Sequence, residues 1–217
     1  LKTEVYMEDY NMAAPKTSIL DILKDRAIID FRAQSDLVPA DDEIQMRGFD
    51  TRQFLTAVDG LVIQKTGGFW GNHYVDFGII PYSIVDSIEI ISGPHSALYD
   101  GKSFGGVINF KVKEPQFYES PAVDGEFSTS YRSYSTNNQM VEAHGGVKNF
   151  NMGFSYERYH TDGYLRNNSA DIDTLTLRTS GKLPTDGLLR LMGSFSDISR
   201  EIPAANDPSR SDYDPDY

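Results

Sequence analysis

The stretch from Pro81 to Lys113 constrains the fold of this chain more than any other part of its sequence. It contains a dense run of β-branched residues between Ile84 and Ile91, which is typical of a buried strand. Gly93-Pro94 ends that run, and a second, alternating run follows from Val107 to Val112. Gly105-Gly106 stand directly before the second run, where glycines indicate that another backbone approaches closely. The stretch therefore predicts two strands joined by a glycine-rich turn.

This stretch resembles the end of the plug domain of TonB-dependent receptors. The shared pattern is a strand ending in Gly93-Pro94, then Ser-Ala-Leu-Tyr at 96–99, then Gly-Gly-Val-Ile-Asn at 105–109 and a basic residue. Upstream, Met46-Arg47-Gly48-Phe49 is similar to the Ile-Arg-Gly-Phe motif of that domain. The segment from Leu55 to Gly60 is similar to its strand ending in Asp-Gly.

The resemblance implies an α+β plug domain over residues 1–115, with a small mixed sheet and short helices. A helix is predicted at Thr17–Arg26, where Ser18 can cap an apolar face. Strands are predicted at Lys2–Tyr6, Ala27–Phe31, Glu43–Arg47 and Phe54–Ile63, the last broken by a turn at Asp59-Gly60. Residues 3–7 are a candidate for the energy-coupling segment that the resemblance implies; an ordinary first strand is the alternative we favour.

From residue 116 onward, apolar and polar residues alternate in runs of about ten. Phe150, Met152 and Phe154, for example, alternate with Asn151 and Ser155. Similar runs occupy Glu126–Tyr134, Gln139–Val147, Thr174–Leu183 and Leu189–Ser196. One apolar and one polar face suit lipid outside and water inside, so we predict that residues 116–217 form the first antiparallel strands of an outer-membrane β-barrel. A soluble antiparallel sheet with one wet face is the alternative.

About five such strands are too few to close a barrel, because transmembrane barrels begin at about eight strands. An open edge in lipid would leave backbone groups without hydrogen-bond partners. We therefore expect the barrel to be incomplete in this chain. Either the chain is a fragment of a longer receptor, or another chain completes the barrel.

Composition excludes several other functions. The net charge of −12 argues against a nucleic-acid partner, and the absence of cysteine excludes disulfides and a cysteine nucleophile. Ser92, His95, Ser96 and Asp100 lie close in sequence, but a triad is recognised by geometry rather than by sequence clustering. His73 has no second ligand at metal-binding spacing. We predict no enzyme, no catalytic residues, no metal site and no cofactor.

Two loops are candidates for ligand contact. The loop from Gln64 to Phe77 carries aromatic residues among glycines, and such a loop cannot bury them all by itself. The resemblance implies that this loop and the one at Gln34–Asp42 are neighbours on the extracellular side. The predicted ligand-binding residues are Phe69, Trp70, Asn72, His73 and Tyr74, followed by Gln34, Ser35 and Asp36. The alternative is that the aromatic residues pack against the barrel wall.

Arg47 is the predicted partner in a plug–barrel ion pair. The resemblance implies that it is buried or half-buried and that barrel carboxylates pair with it, because an unpaired charge inside a protein costs several kcal/mol. The family commonly has a second arginine before Gly-Pro, and this chain has Ser92 there. The charge cluster between plug and barrel is therefore expected to be reduced to Arg47.

The resemblance implies TonB-dependent active transport of a scarce, bulky ligand across the bacterial outer membrane. It favours an iron–siderophore complex, with cobalamin next. The plug would gate the barrel from inside, and its N-terminus would be periplasmic. The implied partners are a TonB-type periplasmic energy-coupling protein, outer-membrane lipid, the iron chelate and the remainder of the barrel. The alternative function is that of a plug-bearing subunit of a multi-chain outer-membrane complex.

Overall fold

A computed structural model describes residues 2–7, 19–23, 26, 29–32, 43–49, 53–63, 77, 80–93, 99, 105–114, 116–201, 208–211 and 213–215. Within these ranges the chain forms twelve strands, one α-helix and one 3-10 turn. No helix in the described ranges is long and apolar enough to cross a membrane.

The described strands form three sheets, and one helix and one 3-10 turn lie between strands in the sequence. The helix α1 spans Leu20–Leu23, and the 3-10 turn spans Tyr82–Ile84. The strands are β1 (Lys2–Tyr6), β2 (Ile29–Arg32), β3 (Glu43–Met46), β4 (Phe54–Val58), β5 (Leu61–Val62), β6 (Val85–Ser92), β7 (Gly106–Val112), β8 (Ala122–Tyr131), β9 (Asn137–Val147), β10 (Phe150–Thr161), β11 (Ala170–Lys182) and β12 (Leu188–Arg200).

The first five-stranded sheet, called the mixed sheet below, has the order β1-β6-β7-β4-β5. Only β4 and β7 run parallel among its pairs, and the other neighbours are antiparallel. Its core face carries Ile88 and Ile90 from β6 and Ile108 and Phe110 from β7, all fully buried. Side chains from α1 and from the small β2–β3 sheet complete this core. The predicted α+β plug fold is therefore confirmed.

The glycines before β7 allow close backbone approach, as predicted. A Cβ atom at Gly106, whose φ is +131°, would lie 2.2 Å from the carbonyl oxygen of Ile91. A Cβ atom at Gly105 would lie 2.8 Å from the Cβ atom of Phe49. Side chains at these two positions would force β7 away from its neighbours.

Asp59 forms a turn, as predicted. Asp59 and Gly60 join β4 to β5 with φ angles of 46° and 82°, in the left-handed region. The Asp59 carboxylate accepts a hydrogen bond from the backbone N–H of Val112 at 3.0 Å. Its carboxylate is therefore used to fasten the turn to the end of β7.

The second five-stranded sheet, called the wall below, has the order β12-β11-β10-β9-β8, and each strand pairs antiparallel with its sequence neighbour. Burial alternates as predicted along β10 and β11 and in the first half of β9, whereas the edge strands β8 and β12 are exposed along most of their length. Outward side chains such as Phe127 and Phe195 are 67% and 70% exposed. Inward ones such as Glu142 and Thr176 are 4% and 0% exposed, on the side that faces the mixed sheet.

Several predicted boundaries of the wall strands were inaccurate. The first wall strand begins at Ala122 rather than Glu126, because Asp124 and Gly125 pair with β9 although neither residue favours a strand. The described helix is limited to Leu20–Leu23, within the predicted Thr17–Arg26. The capping residue proposed for it, Ser18, lies outside the described residues.

Candidate functional site

The mixed sheet contacts the wall at one corner, made of residues 81–85 and 112–114 and called the docking corner below. Val85 at the start of β6 pairs with Val112 at the end of β7. The backbone N–H of Lys113 donates to the carbonyl oxygen of Ile84 at 2.9 Å. The 3-10 turn and the residues after β7 therefore lie side by side and face the wall together.

Glu142 on β9 receives two cations at this corner. Lys113 Nζ lies 2.6 Å from Glu142 Oε2, and Arg178 Nη2 lies 2.6 Å from Glu142 Oε1. The Glu142 side chain is only 5% exposed, and Arg178 at 15% is more enclosed than Lys113 at 38%, so the contact with Arg178 is the better shielded of the two. One cation belongs to the docking corner and the other to the wall strand β11, so Glu142 links the two sheets.

Glu157 on β10 is a second inward carboxylate of the wall. It is 9% exposed, and its Oε1 accepts a hydrogen bond from Asn138 Nδ2 at 3.0 Å. It faces the backbone of Tyr82 and Ser83 in the 3-10 turn. Its second oxygen, Oε2, has no hydrogen-bond partner among the described residues, so this buried carboxylate is only partly satisfied.

The connection from β7 to β8 is tied to the wall by several hydrogen bonds. Asn151 Nδ2 donates to the carbonyl oxygen of Gln116 at 2.6 Å, and the N–H of Lys148 donates to that of Tyr118 at 2.6 Å. The Tyr118 hydroxyl donates to Asp124 at 2.8 Å, and this bond raises the pKa of the phenol. Nearby, Glu114 and Arg190 form an exposed ion pair.

A cavity of about 1050 Å³ lies between the mixed sheet and the inner face of the wall. The mixed sheet and its connections contribute apolar side chains to it, including Leu61, Ile63 and Ile80. The wall contributes charged and polar ones, including Glu142 and Arg178. The docking corner thus borders an amphipathic space rather than a sealed interface.

A row of polar contacts crosses the face of the mixed sheet that points away from its hydrophobic core. Lys2 Nζ lies 2.7 Å from Glu89 Oε1, Asn109 Nδ2 donates to Glu89 Oε2 at 2.8 Å, and the N–H of Gly60 donates to Asn109 Oδ1 at 2.9 Å. Burial favours the neutral form of Glu89. The bonds from Lys2 and Asn109, with the charges of Lys2 and Lys111, outweigh burial and hold its pKa below the ordinary value.

The predicted ligand-binding residues lie outside the described residues, so their positions stay predictions. They are Phe69, Trp70, Asn72, His73, Tyr74, Gln34, Ser35 and Asp36. Arg47 is described: it is exposed, with φ of 52°, in the turn that joins Met46 to Phe49. The described residues do not themselves bury Arg47, and its pairing with barrel carboxylates stays a prediction.

The contacts at the docking corner were not predicted from the sequence. Lys113 is only the last residue of the plug-like stretch, and Glu142 and Arg178 lie within the predicted strand runs Gln139–Val147 and Thr174–Leu183. A charge on the inward face of a membrane strand, where small polar residues would suffice, is the signal that could have singled them out. The pairing itself depends on residues 29 and 36 positions apart.

Comparison with known proteins agrees with this architecture. The family model described as "TonB-dependent Receptor Plug Domain" matches residues 3–107. A curated protein, the vitamin B12 transporter BtuB of Vibrio vulnificus (strain CMCP6), is 30% identical over 148 residues, which cover 68% of this chain and 23% of that protein.

Solved structures show the same fold. The copper transporter OprC superimposes with a TM-score of 0.79 at 15% identity, over 93% of this chain and 32% of that one. The pyoverdine receptor FpvA of Pseudomonas aeruginosa PAO1 superimposes with a TM-score of 0.68 at 17% identity, over 91% of this chain and 27% of that one.

A mixed sheet docked on the polar face of antiparallel, outwardly apolar strands defines a plugged outer-membrane receptor. The chain belongs to the TonB-dependent receptors, which are proteins of the bacterial outer membrane. The match spans less than a quarter of the curated relative's length, at 23%. These relatives are transporters and receptors rather than enzymes.

Proposed function

We propose that this chain is the plug and opening barrel segment of a receptor that transports a bulky ligand across the outer membrane by TonB-dependent coupling. The observation that carries the proposal is the docking corner. A folded sheet is held on the polar inner face of the wall by charged contacts, beside a cavity of about 1050 Å³. A plug held in this way can block a pore and still be displaced, because ion pairs that border water can exchange a protein partner for water molecules.

The ligand class we propose is a metal chelate, with an iron–siderophore complex first and cobalamin second. Support comes from relatives whose names state a pyoverdine receptor, a siderophore receptor and a vitamin B12 transporter. Phe69, Trp70 and the neighbouring loop residues would contact the ligand, because aromatic side chains among glycines offer apolar contact area. Asn72, His73, Tyr74, Gln34, Ser35 and Asp36 complete the proposed ligand surface.

We place the boundary between plug and barrel at residues 115 and 116. The short turns at Lys148-Asn149 and residues 183–187 would face the periplasm, as would the N-terminus. The longer link at residues 162–169 would face outward. A TonB-type periplasmic protein would pull on the N-terminal segment, and Arg47 would pair with carboxylates of the barrel wall.

Ligand binding and uptake test this function directly. The native receptor, purified from outer membranes, is titrated with ferric siderophores and with cobalamin, and uptake is measured in cells with and without the coupling protein. We expect saturable binding of one chelate class and uptake that stops without the coupling protein. Trp70→Ala should weaken binding at least tenfold, whereas Trp70→Phe should retain most of it. Binding of neither class would refute the ligand proposal.

A multi-chain complex is the second candidate, because the two edge strands of the wall, β8 and β12, can be paired either by further strands of one chain or by another chain. The intact mass of the purified protein separates the two arrangements. A denatured chain several-fold heavier than 24.3 kDa would indicate one ordinary receptor. A denatured mass near 24.3 kDa within a much larger native particle would indicate a barrel shared among chains.

A further inference from the structure

Glu142 forms two ion pairs at once. One partner follows the mixed sheet at the docking corner, and the other lies on the wall. Lys113 reaches Oε2 from the docking corner, and Arg178 reaches Oε1 from within the wall. Arg178 is 15% exposed and Lys113 is 38% exposed, so the wall cation is the more enclosed of the two. Lys113 can therefore exchange its contact for water more readily than Arg178.

We propose that Glu142 is a reversible latch, in which Lys113 holds the plug closed and Arg178 keeps the carboxylate neutralised whenever the plug leaves. This inference rests on the proposed gating function and adds the residues that set the strength of docking. In this role Glu142 and Arg178 are positioning residues, since they act on the plug and not on the ligand.

Departure of Lys113 would take one of two cationic partners away from the Glu142 carboxylate. A carboxylate left alone in a shielded site costs several kcal/mol, which would make plug departure slow. Arg178 removes most of that cost, because its contact with Glu142 lies wholly within the wall, between β9 and β11. Departure of Lys113 then breaks one hydrogen-bonded ion pair without leaving Glu142 unpartnered.

The two cationic side chains that pair with Glu142 also repel each other. Lys113 and Arg178 share one carboxylate that is only 5% exposed, so two positive charges are held close together. Like charges at such distances oppose each other, and this weakens the hold of Glu142 on Lys113. Arg178 therefore lowers the strength of docking even while it stabilises the wall.

These two effects predict opposite consequences for the loss of each cation. Lys113→Gln removes the attachment, so the plug should release more easily. Arg178→Gln removes both the repulsion and the replacement partner, so the plug should release less easily. A contact that served only to stabilise the fold would weaken in both variants, which makes the direction of the second change the decisive observation.

The experiment measures plug release in the native receptor, reconstituted in planar lipid bilayers and titrated with urea while conductance is recorded. Lys113→Gln should raise the ratio of open to closed channels roughly tenfold at a given urea concentration, and Arg178→Gln should lower it roughly tenfold. Matched controls are Lys148→Gln, on an exposed turn, and Arg158→Gln, which points outward from β10. Both should open as the parent protein does.

A third variant keeps the test decisive if Arg178→Gln does not assemble. Glu142→Gln removes the latch itself and should open at least as readily as Lys113→Gln. The latch is wrong if Lys113→Gln or Glu142→Gln opens at the same urea concentration as the parent protein. It is also wrong if Arg178→Gln opens more easily than the parent protein. The recording needs neither ligand nor coupling protein, so failure of the latch and failure of the proposed transport function are distinguished.

Discussion

The mixed sheet and the wall use the same strand geometry with opposite orientation of their apolar faces. In the mixed sheet, Ile108 and Phe110 are fully buried against α1 and the small sheet, and Lys2 and Glu89 lie on the other face. In the wall, Phe127 and Phe195 point outward and Glu142 is buried inward. The comparison teaches that alternation alone identifies a two-faced strand, and the solvent on each side decides which face becomes the interior.

The largest expected effect is the difference in plug stability between removing a buried apolar side chain of the mixed sheet and removing an outward one of the wall. Phe110 is fully buried and makes an edge contact with Phe77, with ring centroids 6.3 Å apart. Phe110→Ala should destabilise the plug by about 3–5 kcal/mol through lost transfer free energy and a cavity. Chemical denaturation of the native receptor in detergent measures this. The matched Phe195→Ala, on the lipid-facing surface, should leave plug stability within error.

A somewhat smaller effect tests the outward face of the wall. Leu177 is 54% exposed on the lipid side of β11. Leu177→Arg should destabilise the barrel by about 2–4 kcal/mol, because a charge in the hydrocarbon layer loses its hydration. Folding titrations into lipid vesicles measure the change, with Ser128→Arg on the inward face of β8 as the control. Equal costs for both variants would contradict the assignment of faces.

The next effect tests the close approach of β6 and β7 at Gly106, measured as a loss of plug stability. Gly106 has φ of +131°, and a Cβ atom there would lie 2.2 Å from a carbonyl oxygen. Gly106→Ala should destabilise the plug by about 1–3 kcal/mol or more, from strain at that backbone conformation together with the clash. Gly193→Ala on the wall meets nothing within 4 Å and should be close to neutral. Thermal or urea unfolding of both variants gives the comparison.

The smallest expected effect is a pH dependence of plug stability that comes from Glu89, in the row of polar contacts on the mixed sheet. The pKa of Glu89 is held below its ordinary value of 4.5, so its ionised form stabilises the fold above that pH. This contribution should be lost as the pH falls through the lowered pKa, and the protection factors of the β1 amides against hydrogen exchange should decrease there. Glu89→Gln should abolish the dependence. A pH profile unchanged in that variant would exclude Glu89 as its source, and Glu4→Gln serves as the control.

Much of the architecture was predictable because it depends on local patterns. The alternation in residues 150–156 predicted which side chains face outward, and Gly105-Gly106 predicted a close backbone approach. The positions of strand ends were less predictable. Asp124 and Gly125 have low strand propensity, yet they pair with β9 because the ladder extends across them.

The sequence by itself determined the family, the succession of a plug and antiparallel wall strands, and the faces of the wall strands, since each depends on residue order and a period of two. Only the tertiary structure decided that β4 pairs parallel with β7 and that Lys113 and Arg178 share Glu142. The physical reason is that these contacts join residues far apart in the chain. Their geometry depends on how two sheets dock, and a charge in a sequence does not specify which distant charge it meets.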